Sequence, residues 1–199
     1  MANKFVFALL LLTSLGNSCC SYFPVKHLGR KDYVQWINDP SNGLSKSKVV
    51  GDIKFTLRYK PVDYIVLNEV LANTITSGGF DSLKRKYDGL QYFEMTIDPS
   101  TGNENILKYQ TNSASDYNEN LNYYSFKMRE DIKLIDGDSI LPCVLFNFDN
   151  SHDLSKHSTA VFAFERSSLN TLTDKVIKYD ATRLGIGFVK IEIDRKSVV

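Results

Sequence analysis

Ile53-Lys54-Phe55-Thr56-Leu57-Arg58-Tyr59-Lys60 is the stretch on which the fold turns. Its apolar residues, Ile53, Phe55, Leu57 and Tyr59, alternate without a break with Lys54, Thr56, Arg58 and Lys60. In an extended chain successive side chains point to opposite faces, so this segment reads as a strand with one face packed and the other wet. Pro61 then suits the first turn of a helix, and Val62, Ile65, Val66 and Leu67 continue at helical spacing to about Asn73. Ser77-Gly78-Gly79 breaks that run.

Working outward from this strand and helix, residues 30–37 read as a short helix with Tyr33, Trp36 and Ile37 on one side, stopped by Asp39-Pro40 and turned by Ser41-Asn42-Gly43. Downstream, 81–87 reads as a short helix and 91–97 as a strand with Phe93, Met95 and Ile97 inward. Residues 98–102 carry turn chemistry, and 103–122, rich in Asn and Ser, form an irregular excursion with short helices near Ile106-Leu107 and Tyr117. From Tyr123 the period becomes two: Phe126, Met128, Ile132 and Leu134 on one parity, Lys127, Arg129, Asp131 and Lys133 on the other, with a break at Glu130. Further strands are expected at 140–148, 159–165, 175–179 and 185–193, separated by short polar stretches. The run Phe162-Ala163-Phe164 marks a strand buried on both faces.

Repeated strands joined by short turns favour antiparallel pairing, because a parallel sheet needs a crossover after each strand. The expected fold is α+β and β-rich: an antiparallel β-sandwich-like core with short helices in the N-terminal half, in one globular domain over 30–199. The chain has 199 residues, and a body of roughly 180 can hold a core without metal or disulfide staples.

The N-terminus has another logic. One cation, Lys4, precedes the apolar run 5–12, which gives way to Thr13, Ser14, Gly16, Asn17 and Ser18 before Cys19 and Cys20. Basic, apolar and small-residue regions in that order make a secretory signal over 1–18, and the run is far short of the roughly 20 residues that span a bilayer. The segment resembles bacterial lipoprotein signals, in which a small residue precedes the cysteine that receives diacylglycerol. It departs from the commonest pattern in having Gly16, with Leu15 one place earlier, where leucine usually stands three residues before the cysteine. The resemblance implies lipidation at Cys19, with Cys20 the alternative, and a tether over 19–29. Together with the high content of Asn, Tyr, Lys and Asp, it resembles the envelope lipoproteins of Bacteroidetes-type bacteria and implies an outer-membrane anchor; no acidic run follows Cys19 or Cys20, as it does in some surface-exported lipoproteins, which favours a domain facing the periplasm.

Lys and Arg number 24 against 23 acidic residues, and Lys4 is the only charge before Cys19, so the remainder is neutral. Nucleic acid is excluded as an expected partner, since phosphate binding relies on clustered Lys and Arg. No P-loop, G-x-S-x-G elbow, H-E-x-x-H or dinucleotide-binding glycine pattern occurs. No catalytic residue and no cofactor is expected. Gly185-Ile186-Gly187 lacks a third glycine and reads as a bulge or close backbone approach. His152 and His157, with Asp149 and Asp153, offer atoms that zinc accepts, but their spacing fits no zinc motif, and a solvated loop is the commoner meaning. Cys143 reads as a small buried hydrophobe.

Aromatics gather where the excursion meets the following strand: Tyr109, Tyr117, Tyr123 and Tyr124, with Phe126. A tyrosine offers a flat apolar face and a hydroxyl, which suits protein or glycan contacts, although alternation sends part of such a set into the core. The expected function is a non-enzymatic interaction or structural module docking another envelope protein. Alternatives are a glycan- or peptide-binding accessory protein using these tyrosines, and an enzyme with an unfamiliar site.

Overall fold

The computed structural model describes residues 29–72, 77–100, 104–149, 156–166 and 174–194. Helix α1 (Arg30–Asn38) leads through a single 3-10 turn (Pro40–Asn42) to strands β1 (Ser45–Val50) and β2 (Ile53–Lys60). Helices α2 (Val62–Ala72) and α3 (Ser77–Tyr87) follow, then β3 (Leu90–Pro99), helix α4 (Ala114–Asn122), a π-helical turn (Tyr123–Lys127) and helix α5 (Met128–Asp131). Strands β4 (Ile132–Asp136), β5 (Ser139–Pro142), β6 (Leu145–Asp149), β7 (Ser158–Glu165), β8 (Lys175–Asp180) and β9 (Phe188–Ile193) follow among the described residues, with a 3-10 turn (Thr182–Leu184) before β9.

Two antiparallel sheets result, one ordered β1-β2-β3-β7-β6 and the other β5-β4-β8-β9. The β-sandwich-like α+β architecture expected from alternation is the one observed. In β2 the buried residues are Ile53, Phe55, Leu57 and Tyr59, every second position, and they meet Phe93, Met95, Ile97, Phe162 and Phe164 in the same sheet. Facing them are Ile132, Leu134, Ile177, Tyr179, Val189, Ile191 and Ile193 of the other sheet, and the Phe55 and Tyr179 rings meet edge to face at 6.2 Å. Phe162, Ala163 and Phe164 are all fully buried because β7 is covered twice: the two phenylalanines face the second sheet, while Ala163 lies with Tyr92 under Val62 and Val66 of α2.

The sheets are stitched at one corner. β5 belongs to one sheet and β6 to the other, and the chain crosses between them through Cys143 and Val144 alone, with the Val144 amide donating to the Ala163 carbonyl at 2.9 Å. Cys143 is buried there, as expected. At the opposite side β9 lies beside β1, and Lys48 Nζ donates to the Lys190 carbonyl at 3.1 Å. Inside the sandwich, Lys175 of β8 and Asp136 of β4 are register partners and form a buried ion pair, with Gln91 Nε2 donating to the same carboxylate at 3.5 Å.

Four local expectations are corrected. Residues 123–131 are helical, and strand β4 begins only at Ile132; Tyr124, Met128 and Ile132 recur every four residues, a spacing that helix and strand periods share. Phe126, on the parity assigned to the core, is 69 % exposed. The run 140–148 is two strands in different sheets, divided at Cys143-Val144, where the chain leaves the ladder of β4 and joins that of β7. Gly78 and Gly79 lie within the first turn of α3, and residues 185–187 precede β9 rather than opening it. β1 escapes a periodicity reading altogether: it is an edge strand in Lys and Ser, mostly exposed.

Candidate functional site

The Asn-rich excursion folds because Ser113 and Asp116 form a capping box. The Ser113 hydroxyl accepts the Asp116 amide at 3.2 Å, and the Asp116 carboxylate accepts the amides of Asn112 and Ser113 at 2.8 and 3.0 Å. These bonds, the Asn112 amide first, hold the Asp116 carboxyl below its ordinary range. α4 then passes directly into the π-helical turn, where the Met128 amide donates to the Tyr123 carbonyl five residues back. Such wide turns concentrate at functional sites, since they rotate side chains out of the regular stripe. Here the turn buries two consecutive rings, Tyr123 and Tyr124.

Tyr124 is 1 % exposed, edge-on to Tyr123 at 5.1 Å and stacked on Phe148 at 5.5 Å. Burial pushes its hydroxyl, and that of Tyr179, well above the ordinary tyrosine pKa. The Tyr123 hydroxyl donates to Asp131 Oδ2 at 2.6 Å and lies 3.3 Å from the Tyr179 hydroxyl. Burial and the Asp131 bond both push Tyr123 upward, so its ring is a neutral fixture at any physiological pH.

On that fixture rests Arg183. Its guanidinium carbon lies 5.0 Å from the Tyr123 ring centroid, and its Nη2 donates to Asn120 Oδ1 at 3.0 Å. Asn120 is oriented from behind, since its Nδ2 donates to the Leu107 carbonyl at 3.1 Å. The backbone presenting Arg183 is equally constrained. The Asp180 carboxylate accepts the Thr182 amide at 3.1 Å, Leu184 is buried, and Gly185 closes the 3-10 turn at φ 71°, a left-handed conformation that favours glycine. Glu119 Oε2 sits 4.0 Å from Nη2, beyond hydrogen-bond reach.

Arg183 and Glu119 form a ridge between two open clefts. The smaller, about 220 Å³, is lined by Tyr109, Gln110, Asp116 and Asn120; the larger, about 380 Å³, by Ser115, Asn118, Asn122, Tyr123 and Lys127. Tyr109 is fixed at the rim, donating its hydroxyl to Asp52 Oδ1 at 2.7 Å and accepting from Gln110 Nε2 at 3.0 Å. Hydroxyl, amide, carboxylate and guanidinium groups thus converge on one end of the sandwich, where a polar ligand could exchange its water for fixed partners.

Of the tyrosines singled out from sequence, Tyr109 borders a cleft, Tyr117 is half-buried against the core, and Tyr123 and Tyr124 are buried with Tyr123 reaching the cleft floor. They do not share one exposed plane. His157 directly precedes β7, its Nδ1 2.7 Å from Asp98 Oδ1. His152, Cys19 and Cys20 lie outside the described residues. Among the described residues, no group of three or more His, Cys, Asp and Glu side chains could hold a metal, and no helix is long and apolar enough to cross a membrane.

Sequence reasoning missed Arg183, Asn120 and Glu119. Their only signals were an arginine between an Asp-x-Thr turn and a glycine pair, and amides whose helical spacing was hidden by a low-contrast composition. No family model, no curated protein and no solved structure matches the chain, and the reading of this site rests on its own geometry.

Proposed function

We propose that the protein is an exported, lipid-anchored module of the bacterial cell envelope that acts by binding, holding a polar ligand at the clefts on either side of Arg183. The N-terminal segment supplies the address: a basic start, an apolar run too short to span a bilayer, and Cys19 after a small residue. The observation that carries the binding reading is the held guanidinium. Arg183 is pinned by Asn120 and the Tyr123 face, in an open position flanked by amide and carboxylate groups. Pre-ordering a long side chain removes a cost of roughly 0.5–1.5 kcal/mol from a later binding event. Such ordering has a use where a partner is to be recognised.

The test is a ligand screen of oligosaccharides and peptides against wild type, Arg183→Ala and Phe188→Ser. A ligand of this site is weakened at least tenfold by Arg183→Ala and left unchanged by Phe188→Ser. If every ligand found ignores Arg183→Ala, the clefts are not its site.

A second reading is favoured by the outer face of the four-stranded sheet, where Ile140 is 70 % and Phe188 is 59 % exposed. Docking of another envelope protein on that face predicts the opposite pattern, loss with Phe188→Ser and indifference to Arg183→Ala.

A further inference from the structure

The two clefts differ in charge, and the difference names a ligand. The smaller contains Asp116 and Glu119 against Arg183, and its Asp116 carboxylate is already committed to the amides of Asn112 and Ser113. In the larger, Lys127 and Arg183 face Glu119 alone, so that cleft carries a net positive charge. Guanidinium has five N–H donors in a planar fork, and among the described residues only one bond to Asn120 is made from it. Glu119, 4.0 Å away with its side chain 69 % exposed, is a weakly held neighbour that an incoming carboxylate can displace.

We infer that the larger cleft takes an acidic sugar, its carboxylate clamped by Arg183 and Lys127 and its hydroxyls bonded to Ser115, Asn118 and Asn122. The inference rests on the reading of these clefts as a ligand site. A planar fork matches a carboxylate with two parallel bonds, and Lys127 adds a second cation to the lining. A sugar fits better than an acidic peptide because the remaining lining is amide and hydroxyl, groups that both donate and accept, as neighbouring sugar hydroxyls do. The volume, about 380 Å³, is at the small end of ligand pockets and suits one or two sugar rings rather than a long chain.

The experiment titrates the full chain with digalacturonate, with its fully methyl-esterified form and with an aspartate hexapeptide, at low and moderate salt. The acid is expected to bind at least tenfold more tightly than the ester and the peptide, with affinity falling as salt rises. Arg183→Gln lowers acid affinity about 10- to 100-fold and narrows the gap between acid and ester, while the exposed Lys127→Ala lowers acid affinity by several-fold. Glu119→Gln raises acid affinity, because a competitor for Arg183 is removed. Equal binding of acid and ester overturns the clamp and leaves the broader ligand reading standing. Peptide binding as tight as the acid overturns the sugar, and failure of all three to bind overturns the inference while the screen with Arg183→Ala still judges the wider proposal.

Discussion

The Tyr123 hydroxyl donates to Asp131 across the π-helical turn at 2.6 Å, so the ring beneath Arg183 is locked to the segment that begins β4. Two consequences can be separated by one atom. Tyr123→Phe keeps the ring and deletes the bond, and is expected to cost about 1–2 kcal/mol in urea unfolding, at the lower end because half-exposed Asp131 regains water. The Arg183 guanidinium NMR signal should stay in place, since its aromatic support persists. A displaced signal would show that the hydroxyl, not the ring, positions Arg183.

The buried Lys175–Asp136 pair ties β8 to β4 inside the sandwich. Removing one partner strands a buried charge, so Lys175→Met is expected to cost about 3–5 kcal/mol, and Lys175→Met with Asp136→Leu to recover most of it. Chemical denaturation of the single and double variants measures the recovery.

Asp116 carries a pH signature. Its folded pKa is depressed, so its contribution is present above the ordinary value of 3.8 and is lost as pH falls through the lowered one. Asp116→Ala should therefore melt below wild type at about pH 7, and the two curves should converge near about pH 2. A gap that persists in acid would assign the effect to helix propensity instead of the carboxylate.

Phe164 is fully buried on the inward face of β7 and meets Phe93 at 5.9 Å and Phe162 at 5.8 Å. Phe164→Ala is expected to cost about 3–5 kcal/mol, read from thermal or urea unfolding. A melting curve like wild type would remove β7 from the centre of the core.

Export and lipidation are tested in cells. Cys19→Ala is expected to shift the protein to the soluble fraction or leave an uncleaved precursor. Unchanged detergent-dependent membrane association would move the anchor to Cys20 or elsewhere.

What the chain discloses in advance depends on contrast between neighbouring residues. β2 and β3 were legible because apolar and polar positions alternate cleanly, and β7 because Phe162-Ala163-Phe164 leaves no polar face. β1, an edge strand of Lys and Ser, had no apolar face to reveal it, and its existence is settled by pairing with β2. Residues 123–131 were misread as strand because positions four apart coincide in both periods; the exposed Phe126 was the odd member, and the Ser113–Asp116 cap upstream was the overlooked helix signal. At the candidate site, the tyrosines drew the eye to the right region, but their part is mostly to support. Arg183 arrives from a turn more than fifty residues along, a juxtaposition made only by tertiary packing of the 3-10 turn against α4.

The two-residue passage at Cys143-Val144 gives the sandwich a spine. Along that edge the layers are bound covalently and cannot separate, while along the far edge Lys48 reaches across a seam between β1 and β9 that no strand ladder closes. Swelling of the fold therefore opens like a book from the β1–β9 side, and amide exchange under mild denaturant should begin in those two strands and reach the central, doubly covered β7 last.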